Sequence, residues 1–146
     1  MTNEKTQQNY LFIIHTDGGA RGNPGPAAAA FVVIDSTKKV LFKKGVLLGT
    51  STNNFAEYSA VLYALEWLTA QKIDDKKSKV LFNIDSLLVV NQLNGLFKIK
   101  KFSIREQITK IKLLETSLGF IVIYHHIPRA ENYLADRLVN ETLDNN

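Results

Sequence analysis

The sequence predicts a single-domain α/β fold, a five-stranded mixed sheet flanked by helices in the order β-β-β-α-β-α-α-β-α. Two observations lead there. Short apolar runs bounded by turn residues read as strands, and the stretches that follow the third and fourth of them change to a three- or four-residue apolar period. A helix between two apolar strands favours a right-handed parallel crossover, which makes the sheet mixed. At 146 residues and 45% hydrophobic content, the chain suits one compact core, and no repeat or linker marks a second domain.

The elements follow in order. Tyr10 to Thr16 is almost continuously apolar, as a central strand covered on both faces would be, and Gly18 and Gly19 are expected to stop it just after Asp17. A Gly/Pro-rich loop, Gly18 to Pro26, leads to a strand over Ala27 to Ile34; Asp35 to Lys39 turns the chain into a third strand, Val40 to Leu48. Phe55, Tyr58, Leu62, Leu65 and Leu68 form the stripe of an amphipathic helix ending near Gln71. Val80 to Ile84 is a short buried strand, whose crossover would place Asp85 beside Asp17. Ser86 can cap a helix over Leu87 to Asn94, with Gly95 ending it. Ser103 and Glu106 have capping-box spacing at the start of a helix carrying Ile104, Ile108, Ile111, Leu114 and Leu118, which Gly119 closes. Phe120 to Ile127 is the fifth strand, broken by Pro128, and Leu134 with Leu138 marks the buried side of a final helix.

Composition narrows the chemistry. Lys plus Arg exceed Asp plus Glu by 18 to 14, a net +4 that favours polyanion partners. Cysteine is absent, so a metal must be held by oxygen or imidazole. Met1 to Asn9 is polar and expected to be a loosely ordered tail, leaving residues 10–146 as the folded domain. No apolar run approaches the roughly 20 residues of a membrane span, so a soluble, cytoplasmic protein is expected; separately, a monomer is expected.

Four acids stand at element ends: Asp17, Glu57, Asp85 and Asp136. Singly, each has an ordinary explanation. Asp17 could accept from turn amides, Glu57 could be the third helical residue after an Asn54 cap, and Asp85 and Asp136 could complement helix N-termini. Jointly, the topology brings two onto adjacent strand ends and leaves two on helix starts able to face them. Clustered carboxylates repel and call for cations; all-oxygen ligands select Mg2+ or Mn2+, and such a set can hold two ions around one phosphate. The glycine loop lacks a G-K-[ST] ending and is followed by a strand, so it is not a phosphate-cradling P-loop. His125 and His126 alternate in direction at the end of the fifth strand, one expected to pack and His126 a candidate proton carrier; His15 reads as a core residue. Lys98, Lys100 and Lys101, interleaved with Phe97 and Phe102, suit a duplex backbone or a solvated face.

The segments TDGGARGNPGPAA, TNNFAEYSAVLYAL, NIDSLLVVNQLNG and PRAENYLADRLVNE, in this order and each with its acid, make the chain resemble the type 1 ribonuclease H family from Tyr10 to about Leu143. The resemblance implies that Asp17, Glu57, Asp85 and Asp136 form a two-metal site for Mg2+, with Mn2+ as substitute. It implies cleavage of the RNA strand of an RNA/DNA hybrid, leaving 5′-phosphate and 3′-hydroxyl ends, with no organic cofactor. It further implies that Asn23, Asn53 and Asn54 reach the minor groove and that Thr52 and Asn54 bind the DNA-strand phosphate. Gly18 would lie beside the scissile region, and Asn132 would contact substrate or organise the last metal ligand.

Three departures stand out. Leu87 replaces a polar residue that many members carry after Asp-Ser; Gly95 to Ser103 is too short for an extra helix, leaving Lys98, Lys100 and Lys101 as a reduced basic handle. The last loop, HHIPRAEN, lacks a glycine-flanked histidine, so His126 matches by spacing while Arg129 offers a replacement. A catalytically silent hybrid-binding domain and a resolvase- or transposase-like nuclease are the competing readings. The intact acid set opposes the first, and the surrounding motifs oppose the second.

Overall fold

In a computed structural model, which describes residues 10–95 and 101–145, the expected order of elements is present with a short 3-10 turn added before the last helix. Strands β1 (Tyr10–Ala20), β2 (Gly25–Ile34), β3 (Val40–Ser51), β4 (Lys79–Ile84) and β5 (Ile121–His126) form one sheet in the order β3-β2-β1-β4-β5. β1 pairs antiparallel with β2 and parallel with β4, and β5 joins β4 in parallel, so the sheet is mixed as expected. The helices are α1 (Asn53–Ala70), α2 (Leu87–Leu93), α3 (Phe102–Leu118) and α4 (Tyr133–Asp144), with the 3-10 turn at Arg129–Asn132. The tail expected over residues 1–9, and Lys98 and Lys100, lie outside the described residues. Among the described residues no helix is long and apolar enough to cross a membrane.

The two sheet faces bury different amounts of apolar surface. On one, Ile14, Phe31, Val33, Val80, Phe82 and Ile84 pack against α1, α2 and α3 through Tyr58, Val61, Leu65, Leu68, Val89 and Ile111. On the other, α4 covers Ile13, Val32 and Leu81 with Leu134 and Leu138. The alanines at positions 27–30 let that helix sit close: Ala28 and Ala30 are buried against Val139.

Several boundaries differ from the expected ones. β1 does not stop at Asp17; it runs on through Gly18, Gly19 and Ala20, paired with Ala29, Ala28 and Ala27 of β2. Its parallel partner ends first, at the Thr16–Ile84 register, so Asp17 lies at the end of the β1–β4 ladder while the β1–β2 ribbon continues. The loop therefore shrinks to residues 21–24. Helix α1 is capped by Thr52, whose Oγ1 accepts from Phe55 N at 3.1 Å, so Asn54 is inside the helix and Glu57 is not a capping-box residue. Likewise α3 starts after Lys101 with no side-chain cap, which places Ser103 in its first turn. Ser86 does cap α2, accepting from Val89 N at 3.3 Å, and Gly119 ends α3 in the left-handed conformation.

Candidate active site

Asp17 and Asp85 follow the registered pair Thr16 and Ile84 on neighbouring parallel strands, so the sheet itself sets them side by side. Glu57 reaches them because α1 crosses directly over the end of β1. A Cβ at Gly18 would collide with the backbone carbonyl of Ala56 and the amide of Glu57, so the absence of a side chain there is what permits the close crossing. The carboxylate oxygens of Asp17, Glu57 and Asp85 can be chosen so that all lie within 4.8 Å of one another. Asp136, on α4, is outside that tight trio yet lines the same cavity, of about 330 Å³, with Arg129 and Arg21.

Electrostatics reflect the convergence. Burial, then the charges of Asp85 and Asp136, push the Asp17 carboxyl up to about 7. Burial, with the charges of Asp17 and Asp85, pushes Glu57 up to about 9, and Arg129 partly offsets both shifts. The donor set is entirely carboxylate oxygen, the chain has no cysteine, and the ligand atoms sit close enough to share an ion, so the residues fit a hard divalent metal.

Asn132, expected to contact substrate or to organise the last metal ligand, is fully buried. The 3-10 turn tucks it beneath the ends of β1 and β4, where its Nδ2 donates to Asp85 Oδ2 at 3.0 Å and to the carbonyl of Thr16 at 2.9 Å. Its Oδ1 lies 3.2 Å from His15 Nδ1, and burial holds His15 below the ordinary histidine range. The carboxylate it holds is thus Asp85 rather than Asp136. Nothing in the local sequence distinguished it from an exposed Asn before a helix.

The other expected site residues are distributed around this centre. Asn23 Oδ1 accepts from Asn53 N at 3.0 Å, and Asn53 Oδ1 accepts from Ala20 N at 2.8 Å, tying the loop to the start of α1 and leaving both side-chain NH2 groups as exposed donors. Asn54 is exposed beside them, and the Thr52 hydroxyl keeps its own proton to donate. Lys101 is exposed at the start of α3, and Leu87 is exposed one residue beyond the cap of α2. Both terminal histidines of β5 are exposed, so neither is packed as expected. Strand alternation puts His125, 3.3 Å from Asn83 Oδ1, on the sheet face shared with Asp17 and Asp85, and His126 on the other face; neither histidine lines the cavity. Arg21, unassigned by the motif reading, does line it.

A family described as reverse transcriptase-like matches residues 15–142. Ribonuclease HI of Halobacterium salinarum is 38% identical over 128 residues, which cover 88% of this chain and 62% of that protein. The chain thus spans less than two thirds of that relative's length. LC11-RNase H1, isolated from compost by a metagenomic approach, superposes with a TM-score of 0.88 at 39% identity, covering 94% of this chain and 97% of that one. The chain belongs to the type 1 ribonuclease H family. A further structure of LC11-RNase H1, in complex with an RNA/DNA hybrid, matches with a TM-score of 0.87 at 40% identity over 92% of this chain and 97% of that one. The five-stranded mixed sheet is the architecture shared with these ribonuclease H structures.

Proposed function

We propose that this protein is an endoribonuclease that hydrolyses the RNA strand of RNA/DNA hybrids, leaving 5′-phosphate and 3′-hydroxyl ends, with residues 10–146 as its catalytic domain. The observation that carries the reading is the convergence of Asp17, Glu57 and Asp85 within 4.8 Å, beside Asp136, in a chain that belongs to the ribonuclease H family. The four carboxylates would hold two Mg2+ ions, or Mn2+ in their place. Bound there, the ions would activate a water as nucleophile and stabilise charge on the leaving oxygen.

The chain's own residues supply the rest. Asn132 fixes the orientation of Asp85, and Gly18 gives room for α1 to deliver Glu57. The NH2 groups of Asn23, Asn53 and Asn54 face outward as minor-groove donors, where a 2′-hydroxyl separates RNA from DNA. Thr52 and Asn54 bind the DNA-strand phosphate, and Lys98, Lys100 and Lys101 contact the duplex backbone. Arg129, lining the cavity where His126 does not, contacts the substrate phosphate in place of the absent glycine-flanked histidine. The protein acts as a cytoplasmic monomer.

Incubating the protein with end-labelled RNA/DNA hybrid, double-stranded RNA and double-stranded DNA, each with Mg2+ and with chelator, tests this. Cleavage confined to the RNA of the hybrid and abolished by chelator is expected. A silent hybrid-binding domain would retain the duplex uncut, and a junction nuclease would cut DNA.

A further inference from the structure

Arg21 stands apart from the assigned residues. Its backbone is fixed: its amide donates to the carbonyl of Pro26 at 2.8 Å, and a Cβ at Gly25 would strike the Arg21 carbonyl, so the turn closes tightly around it. Its side chain is held only at the surface, by an ion pair to Asp144 Oδ1 at 2.6 Å and a 3.4 Å bond to the Asn140 carbonyl near the end of α4. Both members of the pair are about half exposed or more, at 48% and 62%. Exposed ion pairs of this kind contribute little, so the guanidinium can be recruited elsewhere at small cost.

The position indicates where. Arg21 lines the carboxylate cavity, and among the described residues it and Arg129 are the cations that do so. Arg129 precedes α4 and Arg21 is held by Asn140 and Asp144 of that helix, beyond Asp136 in the chain, so the two lie on either side of Asp136 along it. A cavity lined by four acids presents an unfavourable field to a polyanion, and cations at its two ends offset it where a strand must enter and leave. Guanidinium matches phosphate with a planar set of donors, and phosphate competes well against a solvated carboxylate.

We propose that Arg21 binds a backbone phosphate flanking the scissile one, and that Asp144 holds it in reserve by competing for the same guanidinium. The proposal rests on the nuclease reading above. It assigns Arg21 a role in binding and Asp144 a restraining one, so the two residues act with opposite sign although they form one pair.

That sign gives the test. Hybrid binding is measured in chelator as a function of salt, and cleavage in Mg2+, for the parent, Arg21→Gln, Asp144→Asn, the double variant, and Glu141→Gln. Glu141, which pairs with Arg137 at 4.0 Å on the same helix, controls for loss of one negative charge. Arg21→Gln is expected to weaken binding by about 3- to 10-fold, to lower the salt slope by about 0.7–0.9, and to raise KM with little change in kcat. Asp144→Asn is expected to tighten binding beyond the Glu141→Gln control, and that gain should vanish when Arg21 is also replaced. If Arg21→Gln and Asp144→Asn weaken binding equally, the pair is only a tie for α4 and the proposal is overturned; it is equally overturned if neither changes binding while the parent cleaves hybrid. A parent that neither binds nor cleaves hybrid would instead remove the nuclease reading, and the proposal with it.

Discussion

Asn132 donates to Asp85 across the end of the β1–β4 ladder, 3.0 Å from Nδ2 to Oδ2, and the same NH2 group holds the Thr16 carbonyl at 2.9 Å. One buried amide therefore ties the 3-10 turn to both strands that carry the central aspartates. Replacing it by Ala strands the Thr16 carbonyl, the Asp85 carboxylate and His15 without their partner. Asn132→Ala should lower stability by about 2–4 kcal/mol, and cleavage should fall even where the protein remains folded. Urea melts paired with kcat measured well below the melting range check both; unaltered stability would show that water replaces the amide freely.

Gly18 tests the close crossing of α1 over β1. Gly18→Ala places a methyl against the Ala56 carbonyl and the Glu57 amide, both of them backbone and unable to swing aside. A loss of about 3 kcal/mol or more is expected, with Glu57 displaced from the aspartates. Thermal denaturation of the variant measures it. Gly19→Ala, whose Cβ would meet nothing nearer than 3.9 Å, is the matched control and should be much milder.

The acid cluster makes the metal-free protein pH-sensitive in a definite direction. Asp17 and Glu57 have folded-state values raised to about 7 and about 9 from ordinary values of 3.8 and 4.5. Between those limits the native state binds more protons than the unfolded chain, so this contribution is fully present below about pH 4 and is lost as pH rises toward 9. In chelator, the part of the stability curve due to these groups should therefore fall over that range. Millimolar Mg2+ should restore stability most at the alkaline end, because it replaces protons in relieving the repulsion. Melting temperatures at pH 5, 7 and 9, with and without Mg2+, give the comparison; an equal Mg2+ effect at all three would exclude a proton-coupled site.

Glu57→Gln separates stability from activity. Removing one charge from the trio should raise or leave unchanged the metal-free melting temperature near pH 9, while hybrid cleavage is lost. Loss of both together would mean that the carboxylate is needed for the fold rather than for the site.

The parts of this arrangement that were legible in the sequence depend on local period and on topology. Apolar runs located β1, β4 and β5, and the rule of right-handed crossovers placed Asp17 beside Asp85, as the Thr16–Ile84 register bears out. The parts that were not legible depend on partners distant in the chain. Gly18 and Gly19 read as strand breakers, yet β1 continues because Ala28 and Ala29 of β2 pair with them. Thr52 and Asn54 both have capping chemistry, and only the chain's path selects Thr52. Asn132 is polar and precedes a helix, so no local signal reveals that the 3-10 turn buries it under Asp85. Strand alternation could not say which of His125 and His126 shared the sheet face of Asp17 until β5 was registered against β4.

The most direct test of the metal-carboxylate centre is single-turnover cleavage of a hybrid labelled on its RNA strand, in Mg2+, by the parent and by Asp85→Asn. The variant keeps the shape of Asp85 and an oxygen for Asn132 to donate to, so its melting temperature in chelator should match or exceed the parent's. The expected result is cleavage by the parent and a rate at least about a thousandfold lower for Asp85→Asn. Equal rates for the two proteins would contradict the assignment of the site.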